Sequence, residues 1–371
     1  MKLPTGRAAK EFIREITSWL EHFNKGSEFA PIALKVIYTL PALLLQKPSR
    51  NSRAKDNLKK LEDRLIHWKN GDMDALLEEG SVIQQRLSAG KRRSPEDSAK
   101  VFAKLMLQGK INAALNLLSS ETTGGVLPLS DTVIQSLIEK HPAPAQIQEE
   151  ALLFGPVDNV ASNYFDSIDE SSIAKAAQTT KGAAGPSHVD TKQYRHILLS
   201  NKYKAENKLL REEISRLAKN LATNILDPAT LEAFVSCRLV PLDKCPGIRP
   251  IGIGEVLRRI IGKTIGWCLK DDLMSSAGPL QAAGGAKGGA EAAIHAMRTI
   301  FEKEDTEAVI LVDTSNAFNS LNRQVALHNV QRTCPAFATI LINTYRVSSR
   351  LAVSGGAEIK SQEGSTQGDN L

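Results

Sequence analysis

The sequence predicts an α+β protein: an all-helical N-terminal region, then a region where strands and helices mix. Three observations lead there. Apolar residues recur three and four apart over most of the first 150 positions. From Cys237 that period gives way to short extended runs bounded by Gly and Pro. EAVILVD, residues 307–313, is a continuous apolar, β-branched run of buried-strand length. The 371 residues are 42% hydrophobic and 24% charged, which excludes a mostly disordered chain; with aromatics at only 5%, the core must rest on Leu, Ile, Val and Ala.

In chain order, KEFIREITSWLEHF (10–23) is an amphipathic helix, and the pattern resumes over 54–87. Gly90 and the KRRSPED run mark a break, and Pro95 suits the first turn of the next helix. AKVFAKLMLQGKINAALNLLSS (99–120) is one helix or a pair broken near Gly109. TTGGVLPLSD is a turn with a short extended piece, and DTVIQSLIEKHP is a short helix closed by Pro142. Residues 1–150 thus form a helical unit of unreadable role, without internal repeats, whose histidines His22, His67 and His141 stand isolated. Residues 151–192, rich in Pro, Gly, Ser and Thr, are a loop-rich linker leading into residues 193–371. There the pattern gives two helices over 190–226 and a third over 227–237. Strands follow at 237–244 and 247–254, then helices over 255–273 and 288–304. A buried strand at 308–313 leads into a helix over 315–330, and a hairpin turns at Gly355-Gly356.

Net charge is +6 but unevenly spread: residues 1–60 carry +7, residues 121–170 carry −8, and residues 201–263 are basic again. Basic blocks of this kind serve as solvated helix faces or as nucleic-acid surfaces. Four scattered cysteines without a CxxC pair exclude a disulfide scaffold and a zinc knuckle, and fit a reducing compartment. The charged N-terminus is no secretory signal, and the apolar run 29–46 is interrupted by Pro31, Lys35 and Pro41. The expectation is an intracellular protein of nucleus or cytoplasm, not secreted and without a membrane partner.

Three segments carry candidate chemistry. In AVILVDTSNAFNSLNR (308–323), Asp313 ends the expected strand at a sheet rim, where a carboxylate either holds a metal ion or caps the next helix. Phe318 would wall that site, and the N–H groups of Asn316 and Ala317 at the helix start would suit a polyphosphate. In CRLVPLDKCPGIRPIGIG (237–254), Lys244 and Arg249 flank a turn, as an anion-binding pair or as an ordinary basic hairpin. In SQEGSTQGDNL (361–371), Gln367-Gly368 combines an amide donor with close backbone approach. The glycine-rich run 281–295 is not a P-loop, because GxxxxGK[ST] is absent and no buried strand directly precedes it.

AGPSHV, LVPLDK…IRPIGIG, GGAEAAIHAMR, VDTSNAFNSLNR and EGSTQGD follow one another in an order that resembles reverse transcriptases of the non-LTR retrotransposon and mobile-element type. The resemblance covers about residues 181–371. It implies a right-hand polymerase fold, with fingers and an incomplete palm behind the helical region. By the same resemblance Lys244 and Arg249 would hold the triphosphate of a deoxynucleoside triphosphate, and Asp313 would be a catalytic carboxylate and metal ligand. The Thr314 carbonyl would complete the ion on the nucleotide side, and Phe318 would exclude a ribose 2′-OH. Gln367 and Gly368 would contact the nucleotide and position the template. The implied cofactor is a pair of Mg²⁺ ions, and the implied partners are an RNA template with a DNA primer, or their hybrid. Oligomeric state, element clade and target site are not legible.

The sequence departs from the family in one respect. The Asp-Asp hairpin that supplies the other palm carboxylates comes after the Gln-Gly motif, and the chain as given ends three residues after Gly368. Asp271-Asp272 is in the wrong order to replace it. The expectation is therefore a chain without polymerase activity, or a non-catalytic nucleic-acid-binding or scaffold protein of that ancestry. The apolar segment 308–313 is expected to lack strand partners.

Overall fold

The computed structural model describes residues 1–47, 49, 52–88, 95–122, 125–161, 163–244, 246–282, 287–353 and 356–366. Helices α1 (Arg7–Asn24) and α2 (Ala30–Leu44) come first, then α3 (Ala54–Asn70) and α4 (Met73–Ser88). They are followed by α5 (Pro95–Leu107), α6 (Ile111–Thr122) and α7 (Asp131–Glu139). The mixed region holds α8 (Glu170–Thr179), α9 (Thr191–Leu199), α10 (Lys204–Thr223) and α11 (Pro228–Val235). Strands β1 (Cys237–Asp243) and β2 (Ile248–Gly254) precede α12 (Val256–Cys268), α13 (Lys270–Ala277) and α14 (Gly289–Phe301). Next come α15 (Ala317–Ser320), α16 (Arg323–Thr333) and α17 (Pro335–Tyr345), then β3 (Ser349–Val353) and β4 (Glu358–Ser361). The fold is α+β, dominated by helix, with one small mixed sheet.

Local chemistry sets most boundaries. Gly71 ends α3 in the left-handed conformation (φ 78°), which an L side chain resists. Gly109 (φ 68°) separates α5 from α6, so 99–120 is the broken pair. Ser130, Asp169 and Asp190 cap α7, α8 and α9 through their side chains.

The main core is built on α10, whose Leu210, Ile214, Leu217, Ala218 and Leu221 are buried. Helix α1 lies along it with Phe12, Ile13, Ile16 and Leu20 turned inward at helical spacing. The apolar run 29–46 proves to be α2, buried between α1 and α11. It is apolar because it is interior on several sides, and among the described residues no helix is long and apolar enough to cross a membrane. One apolar cluster runs from Leu3 through α1, α2 and α3 to α8–α12 and Ile340 of α17. The boundary expected near residue 150 therefore does not divide the core. Helix α8, in the segment expected to be a linker, packs on α10 and α12.

The sheet has the order β2-β1-β3-β4. β1 and β2 form an antiparallel hairpin, β1 and β3 run parallel, and β3 and β4 form the second hairpin. Both hairpins match the sequence expectation. Leu137 of α7 covers one face, over Cys237, Leu239, Leu351, Val353 and Ile359.

The stretch 308–313 corrects the expectation of a buried strand. It has no regular structure, and Ile310, Leu311 and Val312 are 84–87% exposed. Apolar composition alone does not make a strand; its N–H and C=O groups need a neighbouring ladder, and the described sheet offers this segment none. The single helix expected over 315–330 is likewise two, α15 and α16, because Asn322 restarts the helix by accepting from the Val325 N–H at 3.0 Å.

Candidate functional site

The β1–β2 hairpin presents Lys244 and Arg249 on either side of its turn, both exposed. Arg249 lies opposite Leu242 in the register, and the Lys244 N–H bonds the Gly247 carbonyl at 3.1 Å. The extended piece foreseen after residue 122 docks beside this hairpin. The Leu127 N–H donates to Pro241 O at 3.0 Å, and the Asp243 N–H donates to Gly125 O at 2.9 Å. The hairpin arm that ends at Lys244 is thus flanked by β2 and by an isolated bridge from Val126 to Leu242.

AGPSHV wraps the root of the same hairpin. Glu255, buried ahead of α12, accepts the Ser187 N–H at 2.7 Å and its hydroxyl at 2.8 Å. Burial pushes the Glu255 carboxyl above its ordinary range, against the opposing pull of Ser187 and Arg259. Arg238 donates to Ala184 O at 2.9 Å. Arg259 reaches Lys181 O at 2.7 Å, and also Ala183 O. Gly185 is required because a Cβ there would meet the Glu255 backbone.

The segments 316–323 and 361–366 join each other. The Phe318 carbonyl accepts the Ser365 N–H at 2.6 Å, and the Leu321 carbonyl accepts the Gly364 N–H at 2.8 Å. Gly364 (φ 64°) permits this, since a Cβ would strike Phe318 O. Arg323 is 5% exposed. Its guanidinium bonds the carbonyls of Ser361, Glu363 and Gly364 at 2.9–3.0 Å and stacks on Tyr345 with 5.3 Å to the ring centroid. Glu363 answers from the other side, accepting the N–H groups of Arg323 (2.6 Å) and Ala145 (2.7 Å). Gly252 of β2 touches Thr366, where a Cβ would collide with the threonine methyl. The hairpin, 316–323 and 363–366 therefore meet, although more than a hundred residues separate the first from the last.

A segment of the acidic stretch runs along the outside of α16. Asn322 donates to Ala145 O (3.2 Å) and Asn329 to Ala151 O (2.9 Å). The Leu153 N–H returns to Asn329 at 2.9 Å, and His328 meets Leu153 O at 2.9 Å. Asn316, in the left-handed region (φ 55°), donates to Lys140 O at 3.0 Å.

Other expected site residues are not gathered. Asp313 and Thr314 are exposed in the irregular stretch before α15. Among the described residues no group of three or more His, Cys, Asp or Glu is placed to hold a metal ion. Asn316 and Ala317 begin a helix of one turn, too short for a macrodipole to build an anion site. Phe318 is 54% exposed, its ring free to wall a ligand. Gln367 and Gly368 lie outside the described residues. Asp272 accepts the Tyr164 hydroxyl, a packing role. Sequence reasoning missed Glu255, Arg258, Arg259, Arg323 and Glu363. It counted Arg238, Arg258 and Arg259 as phosphate-facing charge, whereas their guanidinium groups bond backbone carbonyls. The available signal was a pair of arginines inside the apolar run EVLRRIIG, where an unpaired charge would be costly. No family model matches the chain, and no curated protein matches it.

Proposed function

We propose that residues 181–371 are the fingers and part of the palm of a reverse transcriptase of the mobile-element type, and that they bind nucleotide and nucleic acid. One observation carries this reading: four of the five motif segments that suggested the family from their order, AGPSHV, the β1–β2 hairpin, 316–323 and 363–366, meet through Ser187 with Glu255, Gly252 with Thr366 and Phe318 with Ser365, while GGAEAAIHAMR lies apart on α14. Chance matches scattered along a chain have no reason to meet. In this reading Lys244 and Arg249 take the triphosphate, and Phe318 faces the sugar. Asp313 would contribute one metal-binding carboxylate.

The test is a pair of assays on the purified chain. Fluorescence titration with a deoxynucleoside triphosphate and with an RNA–DNA hybrid is expected to show binding that weakens steeply with salt. Lys244→Gln combined with Arg249→Gln is expected to weaken nucleotide binding about tenfold or more. Absence of both nucleotide and hybrid binding would overturn the family reading.

A further inference from the structure

Trp267 differs from the other two tryptophans of this chain. Trp19 and Trp68 pack against the main core, and both donate their indole N–H to Glu15 Oε1, at 3.0 and 3.1 Å. Trp267, on the last turn of α12, is 36% exposed, takes no part in that core, and has no hydrogen-bond acceptor for its indole among the described residues. Two cations sit over its ring instead. Lys263, one turn earlier on α12, places Nζ 5.5 Å from the ring centroid, and Lys175 of α8 places Nζ 5.0 Å from it. The ring borders an open cavity of about 320 Å³, lined also by Thr264, Cys268, Ser171 and Asp169. The Asp169 carboxylate is engaged by Ser171 and Ser172 at 2.8 Å, which ties the acid on this rim to the α8 cap.

An amphipathic indole left at the surface with its polar handle unpartnered, flanked by two ammonium groups, has the chemistry of a stacking platform. A flat π-system finds an exposed aromatic ring, and a flexible anionic backbone finds point charges beside it. The position supports it. Lys263 Nζ donates to Thr179 O, and four residues back on α12 Arg259 holds the carbonyls of Lys181 and Ala183. One helix face thus leads from AGPSHV to Trp267, about 18 Å from Glu255 at the rise of an α-helix.

We propose that Trp267, with Lys175 and Lys263, is a stacking site for an unpaired nucleobase of a single-stranded nucleic acid passing along α12. The proposal rests on the nucleic-acid reading above and adds a subsite outside the hairpin and its motifs. Stacking is indifferent to base identity, so this subsite should bind single strands with little sequence preference.

The test is fluorescence anisotropy of the full chain with a labelled single-stranded RNA of about 12 nucleotides and with an abasic oligomer of the same length. Trp267→Ala is expected to weaken RNA binding about tenfold, within the range of one lost base stack. Trp267→Phe should restore most of it. On the abasic oligomer, wild type and Trp267→Ala should bind equally, an equality that a merely structural role of the ring would not give. Lys175→Gln with Lys263→Gln should lower the slope of log affinity against log salt by about 1.4, at about 0.7 per single-strand phosphate contact. If Trp267→Ala binds RNA as tightly as wild type, the platform is wrong while the hairpin reading stands, since Lys244 and Arg249 are read by nucleotide binding. If wild type binds no single-stranded RNA, the platform also falls, and hybrid and nucleotide binding then decide the reading beneath it.

Discussion

Arg323 and Glu255 hold the motif segments in place. Arg323 is a buried cation satisfied by three carbonyls, the Ser361 hydroxyl and the Tyr345 ring. Removing the guanidinium leaves the carbonyls of Ser361, Glu363 and Gly364 without their donor in a buried site, although the Glu363 carboxylate keeps the Arg323 backbone N–H. Arg323→Met is therefore expected to cost about 3–5 kcal/mol, read as a lower urea midpoint at constant m-value; an unchanged midpoint would refute the clamp. Glu255 gives a pH test. Its folded pKa is raised above the ordinary 4.5 by burial, so the folded state binds the proton more tightly than the unfolded chain does. The sign follows: this group's contribution is fully favourable below about 4.5 and is lost as pH rises through the folded value. Glu255→Gln keeps an acceptor for Ser187 but cannot ionise. Its stability relative to wild type should rise with pH above 4.5, and a difference constant across a series of urea melts would sink the argument.

At the scale of elements, the contrast between the two hairpins and 308–313 shows what was legible. β1–β2 and β3–β4 were readable because each carries its own ladder partner and turn within a dozen or so residues, so local pattern decided the outcome. The 308–313 run reads as strand just as strongly, yet its state depends on a neighbour that the local sequence does not supply. The same holds for α14, whose period was right but whose Ile294, Met297, Ile300 and Phe301 lie exposed. Of the site, the turn cations and the 316–323 and 363–366 segments were legible as motifs. The bonds that join them were not, because Arg323 with Glu363 and Ser187 with Glu255 are long-range pairs without periodic trace. The two readings of 308–313 predict different costs. With Ile310 and Leu311 exposed, Ile310→Asp and Leu311→Asp should each shift stability by less than about 0.5 kcal/mol. Leu239→Ala, on the covered face of β1, should cost about 2–5 kcal/mol. Chemical denaturation of the three variants decides; unfolding by either aspartate would restore the buried strand.

For the whole molecule, a change in composition near residue 150 suggested two units, yet α1 and α2 lie against α10 and α11 and share their core. Sequence composition reports where the chain runs over the surface; it does not report which faces later meet. The consequence concerns the part that resembles a polymerase. Removing residues 1–150 would strip Phe12, Ile13, Ile16 and Leu20 of α1 and Leu34, Ile37, Leu40 and Leu44 of α2 from that core. At about 1.5–3 kcal/mol for each of these eight side chains, the loss is as large as the roughly 5–15 kcal/mol by which a domain is stable at all, or larger. Residues 151–371 alone are therefore expected to lack a cooperative melt and to bind a hydrophobic dye. Residues 1–88 added in trans should restore a transition, because α1 and α2 are continuous helices that need only dock. Calorimetry of the fragment with and without the N-terminal peptide decides. A sharp, reversible transition of 151–371 by itself would mean that the motif-bearing half carries its own core and that α1 and α2 merely decorate it.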